Sequence, residues 1–186
     1  MEIKVISSSE NKETKWSGGI TREVFIYPEN ADYAKREFLF RLSMAQAYDE
    51  DSAYTSLPGV TRYLVSLDGT AELFHADKED VVMLTPFGYV DCFDGGVHTR
   101  AHGAIRDFNL MLCGADGKMS VVHENVIETS YTFNAIYADA KCTVSVDEKR
   151  YALQKGDCLM LCNVTEKIKI MLDGEYEKAI FCGINV

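Results

Sequence analysis

Runs of five to seven residues in which apolar and polar side chains alternate, each closed by a turn dipeptide, limit what this chain can fold into more than any other feature. Residues 61–67 alternate into Asp68-Gly69 and continue at 70–74; residues 142–146 run into Asp147-Glu148 and return at 149–153; residues 167–172 end at Asp173-Gly174 before a last apolar segment near Ile180. Period-two alternation half-buries a strand, and a tight dipeptide between two such runs signals a hairpin, so 61–74 and 142–153 are both predicted as hairpins. Residues 30–36 hold enough helical character for a turn or two and no more. The Gly-rich stretch 94–103 reads as a loop. Short strands at short intervals make an all-β sandwich or barrel. A unit of strand, tight turn, strand, loop and apolar run occurs at 61–84 and again at 142–162, the second time with Gly156-Asp157 ahead of the apolar strand. The pattern leaves two architectures open, a duplicated jelly roll and a single irregular β-sandwich.

Polar clusters are set into this strand-like sequence. They are Trp16-Ser17-Gly18-Gly19-Ile20-Thr21-Arg22-Glu23, Phe40-Arg41-Leu42-Ser43-Met44-Ala45, Ser56-Leu57-Pro58-Gly59-Val60-Thr61-Arg62 and Arg106-Asp107-Phe108-Asn109. Four of the seven arginines, at 22, 41, 62 and 106, fall where the neighbouring residues call for a buried or half-buried strand. Charged side chains are rarely buried unless something pairs with them, so these segments point to a shared polar interior. Strand parity sorts the groups: Arg41, Ser43 and Ala45 share a face opposite Phe40, Leu42 and Met44, and Asp107, Asn109 and Met111 share a face opposite Phe108 and Leu110. A guanidinium, a hydroxyl, a carboxylate and an amide facing one interior make a recognition set for a small polar ligand, the guanidinium fork matching a carboxylate. The alternative is that Arg41 and Asp107 pair with each other as a structural ion pair. Trp16 with Gly18-Gly19 forms either a stacking rim over that interior or a plain turn with the indole as packing anchor.

The same clusters, in this order, together with Phe93-Asp94-Gly95 and Arg106-Asp107-Phe108-Asn109-Leu110-Met111, resemble the HutD/Ves family of the cupin superfamily. The resemblance is dense from Trp16 to Met111 and continues beyond only as a barrel-like pattern. It implies a bicupin, two fused jelly-roll-like β-barrels forming one compact unit over 1–186, with approximate halves 1–115, carrying the motifs, and 116–186. It also implies a link to amino-acid catabolism, histidine utilisation in particular, without implying a reaction.

Charge and composition narrow the partners. A net charge of −10, from 19 Lys and Arg against 29 Asp and Glu, argues against the basic surface that nucleic acid or an anionic membrane needs. The opening Met1-Glu2-Ile3-Lys4-Val5-Ile6 reads as a strand rather than a signal peptide, and no eighteen-residue apolar run occurs, so the chain is expected to be cytoplasmic with its six cysteines as reduced thiols. Cys158, Met160 and Cys162 alternate with Leu159 and Leu161 in a strand buried on both faces. The four histidines, His75, His98, His102 and His123, include no His-x-His pair, so no metal is expected. No nucleophile elbow and no phosphate-cradling glycine loop is present, and no cofactor is expected.

The chain is therefore read as a binder of a small anionic metabolite, a sensor or modulator, for which a homodimer is allowed but not required. Arg41 is the carboxylate partner, Arg62 a second cation at the barrel mouth, Ser43 and Asn109 orienting hydrogen-bonders, Asp107 the internal counter-ion and Trp16 the rim. The competing reading is a metal-independent isomerase or hydrolase with Asp107 as general base.

Overall fold

The computed structural model, which describes residues 1–186, turns the alternating runs into nineteen strands; three single-turn 3-10 segments are the only helical backbone. The strands are β1 (Glu2–Ile6), β2 (Lys12–Trp16), β3 (Gly19–Tyr27), β4 (Phe40–Ala47), β5 (Asp51–Ala53), β6 (Thr61–Asp68), β7 (Ala71–His75), β8 (Val82–Leu84), β9 (Asp91–Asp94), β10 (Thr99–His102) and β11 (Arg106–Leu112). They continue as β12 (Asp116–Val121), β13 (Val126–Thr129), β14 (Phe133–Ala138), β15 (Cys142–Val146), β16 (Lys149–Leu153), β17 (Cys158–Cys162), β18 (Ile168–Gly174) and β19 (Ala179–Asn185). No helix is long and apolar enough to cross a membrane.

The chain divides into two compact units, Lys12–Ala115 and Met1–Asn11 with Asp116–Val186, so the first eleven residues belong with the C-terminal portion. The unit 12–115 has a six-stranded sheet, β2-β3-β4-β11-β6-β9, and a four-stranded one, β5-β10-β7-β8. Leu64 of the first sheet and Leu73, Leu84 and Ala101 of the second share one buried cluster, so the two sheets pack face to face. The other unit has β1-β17-β14-β19-β12 and β13-β18-β15-β16. Its core joins Ile136, Leu159 and Phe181 to Val144, Leu153 and Ile170, again across two sheets. All of β17, Cys158–Cys162, is buried on both faces.

The two units repeat one strand order. Counting eight strands in each, from β4 and from β12, the first, eighth, third and sixth lie side by side in one sheet and the second, seventh, fourth and fifth in the other. This corrects the register of the echo. Residues 61–84 hold the third to fifth strands of their unit, whereas 142–162 hold the fourth to sixth of theirs, so the repeats are offset by one strand. The cause is the turn at Asp68-Gly69. β6 pairs with β11 and β9, while β7 pairs with β10 and β8, so 61–74 is a corner that passes from one sheet to the other and not a hairpin. Gly69 has φ +77°, and a Cβ there would lie 2.6 Å from the Ala104 carbonyl oxygen; the dipeptide serves a crossing loop as well as it would serve a hairpin. The hairpin at 142–153 does form, from Cys142↔Leu153 to Val146↔Lys149.

Two further expectations change. Residues 94–103 are not all loop, since Asp94 ends β9 and Thr99–His102 forms β10. Of the four arginines in strand-like sequence, only Arg41 and Arg62 are buried; Arg106 is half-buried, and Arg22 points out and donates from Nε to Glu13 Oε2 at 3.1 Å. The helical turn at 30–36 is a 3-10 segment, Tyr33–Lys35, started by Asp32, whose Oδ1 accepts from the Ala34 amide at 2.9 Å.

Candidate functional site

Between the sheets of the unit 12–115 lies a cavity of about 330 Å³, and Trp16, Arg41, Ser43, Arg62, Asp107 and Asn109 all line it. Parity puts them there. β4 pairs with β11 so that Ser43 stands opposite Asn109 and Arg41 opposite Met111, and the cavity takes Arg41, Ser43, Ala45, Asp107, Asn109 and Met111 while Phe40, Leu42, Phe108 and Leu110 are fully buried on the reverse face.

Arg62 is placed by two of the quoted motifs acting on each other. Pro58 fixes φ and Gly59 follows at φ +79°, so Leu57-Pro58-Gly59-Val60 closes as a tight turn in which the Val60 amide donates to the Leu57 carbonyl at 3.2 Å. Gly95 then clasps that turn: its amide donates to the Val60 carbonyl at 2.7 Å and its carbonyl accepts from the Leu57 amide at 2.6 Å. A Cβ at Gly95 would lie 2.9 Å from both the Leu57 and Val60 oxygens and 3.2 Å from Arg62 Cδ, so only glycine lets the arginine stem pass. The guanidinium ends over two rings, 4.8 Å from Tyr54 and 5.4 Å from Phe93. Arg62 was expected at the mouth, but it is 4% exposed, and its Nε has no hydrogen-bond partner.

Arg41 is differently held. Its Nε donates to Glu23 Oε2 at 2.7 Å, its Nη1 donates to Ser43 Oγ at 3.3 Å, and its guanidinium carbon lies 4.1 Å from the centre of the Tyr33 ring. The ion-pair partner of Arg41 is thus Glu23 from β3, which corrects the alternative of an Arg41–Asp107 pair; the cation whose charge Asp107 feels is Arg62. Asp107 is buried with Oδ1 unpartnered, and Asn109 is buried with its own Oδ1 unpartnered. Burial pushes the Asp107 carboxyl up to about 7, against the opposing pull of the Arg62 charge. Burial lowers the Arg62 guanidinium from its ordinary value, and burial followed by the negative charge of Asp107 raises the Tyr54 hydroxyl.

Trp16 sits at the rim, 38% exposed, at the end of β2 in the β2–β3 hairpin. Its ring covers Gly18, where a Cβ would meet Trp16 Cζ3 at 2.4 Å; a Cβ on Gly19 would meet the Gln46 carbonyl oxygen at 2.0 Å. The paired glycines therefore serve close approach, with no positive φ at either.

Glu23, Tyr33, Tyr54 and Phe93 complete the site and were not legible as site residues. Glu23 reaches Arg41 through the β3–β4 ladder, and the aromatic platforms come from the 3-10 segment that Tyr33 opens, from the loop after β5 that holds Tyr54 and from the edge strand β9. Behind Phe93, His75 lies 4.6 Å from that ring and is fully buried between the Asp91 carboxylate, 2.7 Å from Nε2, and the Thr99 hydroxyl, 2.9 Å from Nδ1. Its signal was available, since His75 follows Ala71 and Leu73 on the inward parity of β7. His102 is exposed and bonds Asp51 at 3.0 Å. No three His, Cys, Asp or Glu side chains converge where they could hold a metal ion.

Comparison with known proteins agrees with this architecture. HutD from Pseudomonas fluorescens SBW25 superposes with a TM-score of 0.81 at 22% identity, over 99% of this chain and 98% of that one. A conserved protein of unknown function from Pseudomonas aeruginosa PAO1 gives 0.83 at 17% identity over 100% of both. Oxalate decarboxylase from Bacillus subtilis, described with Mn(II) centres, gives 0.64 at 8% identity over 97% of this chain and 76% of that one, so the all-β fold is cupin-like. No curated protein matches the chain in sequence. Residues 8–180 match the HutD family, and the chain belongs to it.

Proposed function

We propose that this chain is a bicupin whose cavity in residues 12–115 captures a small carboxylate metabolite, and that it works in the cytoplasm as a sensor or modulator of amino-acid catabolism, that of histidine above all. The repeated eight-strand order supports the two-barrel reading, and membership of the HutD family supports the metabolic one. One observation carries the ligand: Arg62 lines the cavity with its guanidinium buried over aromatic rings, and its Nε has no hydrogen-bond partner. A desolvated guanidinium is costly without an anion, and a carboxylate supplies the matching acceptors. Arg41 adds positive potential, Ser43 and Asn109 orient, and Trp16 covers. With a net charge of −10 the protein repels anions at long range, so capture depends on this local field. A cavity of about 330 Å³ fits a compact metabolite and no polymer.

The test is thermal denaturation against a panel at millimolar concentration. Urocanate, N-formylglutamate or a similar small carboxylate raises the melting temperature, increasingly with the logarithm of its concentration, while the corresponding amides and neutral sugars do not. Arg62→Met abolishes the shift. A neutral compound that stabilises where every carboxylate fails would overturn the reading.

A second reading has its own observation, the buried Asp107 carboxyl of the cavity wall pushed up to about 7 with an unpartnered oxygen, which suits a general base in a metal-independent isomerase or hydrolase. Recovery of the bound compound unchanged after hours of incubation decides for the binder.

A further inference from the structure

Three side chains that line the cavity each carry a buried polar atom that no protein group satisfies, and together they specify more than an anion. Arg62 Nε is a donor; Asp107 Oδ1 and Asn109 Oδ1 are acceptors, on side chains each at least 95% buried at 4%, 5% and 4% exposure. The other cationic group that lines the cavity, Arg41, gives Nε to Glu23 and Nη1 to Ser43. Buried polar groups are nearly always hydrogen-bonded, and each one left without a partner is destabilising, so three on side chains that line one cavity describe the complement of what binds there. The complement of one donor and two acceptors is a molecule with an acceptor for Arg62 and hydrogen-bond donors for Asp107 and Asn109. Asp107 and Asn109 are two apart on β11 and face the same way, so they form one edge of the cavity that Arg62 also lines.

Building on the carboxylate reading above, we infer that Asp107 and Asn109 form a donor-reading subsite, and that the ligand is a small carboxylate which also carries an N–H or O–H group within the same compact frame. Arg62 takes the carboxylate and the β11 edge takes the donor. A plain carboxylate of equal size leaves that edge unsatisfied, and a site with buried hydrogen-bonding groups rejects an analogue that lacks the matching group far more strongly than an apolar pocket rejects an extra methylene.

The test uses carboxylates that differ in one ring atom: pyrrole-2-carboxylate and pyrrole-3-carboxylate, which present a ring N–H, against furan-2-carboxylate and furan-3-carboxylate, which present a ring oxygen. Binding is read from the fluorescence of Trp16, the chain's one tryptophan, and checked by thermal shift. At least one pyrrole isomer binds the full-length protein tenfold or more tightly than its furan counterpart, and in Asn109→Leu and Asp107→Leu that ratio falls to threefold or less. Equal affinity of each pair for the unaltered protein overturns the subsite while leaving the carboxylate reading intact, and so does a ratio that survives both substitutions. Failure of all four compounds to bind overturns both. The comparison within the unaltered protein stands even if one variant does not fold.

Discussion

Asp107 is the carboxyl that burial moves far from its ordinary state. A carboxyl whose usual value is 3.8 is held up to about 7 by burial, so between those values the folded protein keeps a proton that the unfolded chain has lost. The sign follows by linkage: this favourable contribution is present below pH 4, fades as pH rises, and is gone above pH 7, where the charged carboxylate is stranded, a swing of up to about 4 kcal/mol. Asp107→Asn keeps the shape and removes the titration. Its melting temperature relative to the unaltered protein is expected to rise more at pH 8 than at pH 5; a difference independent of pH would contradict the assignment. At this scale the sequence was informative only along a strand. Parity set Arg41 beside Ser43 and Asp107 beside Asn109, because side chains two apart must share a face. It could not show that Glu23, on the neighbouring strand, would take Arg41 from Asp107, because that depends on ladder register and on the irregularity between Glu23 and Phe25.

Among the elements, turns decide more than strands do. The strand-like segments at 61–67, 142–146, 149–153 and 158–162 could be located from alternation and apolar content. Asp68-Gly69 could not be assigned to a corner rather than a hairpin, since the dipeptide supplies a left-handed glycine to either and only long-range pairing chooses. The clasp between 57–60 and Gly95 shows the same dependence, joining segments some 35 residues apart. Two glycine substitutions separate shape from position here. Gly59→Ala meets no atom within 4 Å and strains only its own backbone at φ +79°, costing on the order of 1–2 kcal/mol, with carboxylate affinity expected to stay within about twofold. Gly95→Ala drives a methyl into two carbonyl oxygens and the Arg62 stem; it is expected to destabilise at least as much and also to weaken carboxylate binding by tenfold or more. Titration of both variants checks this, and equal affinities would mean that Gly95 does not position Arg62.

Over the whole molecule the chain order and the units disagree. The first strand is separated from its unit by more than a hundred residues, yet β1 pairs with β17 from Glu2↔Cys162 to Ile6↔Cys158, and Asp157 ties the segment down by accepting from the Ser8 amide at 2.9 Å. Nothing local in Met1–Ile6 reveals that destination, which is why a division at 115 looked natural from sequence. The pairing has a consequence that can be measured. β17 is buried on both faces, and β1 covers its otherwise open edge. Deleting residues 1–7 exposes that row of backbone groups, so amide exchange is expected to accelerate through β17, β14 and β19, with a tendency to associate through the bared edge. The cavity lies wholly within 12–115, and its carboxylate affinity is expected to change by no more than about threefold. Faster exchange confined to β2–β11, with β17 still protected, would show that the N-terminal strand supports the other unit instead.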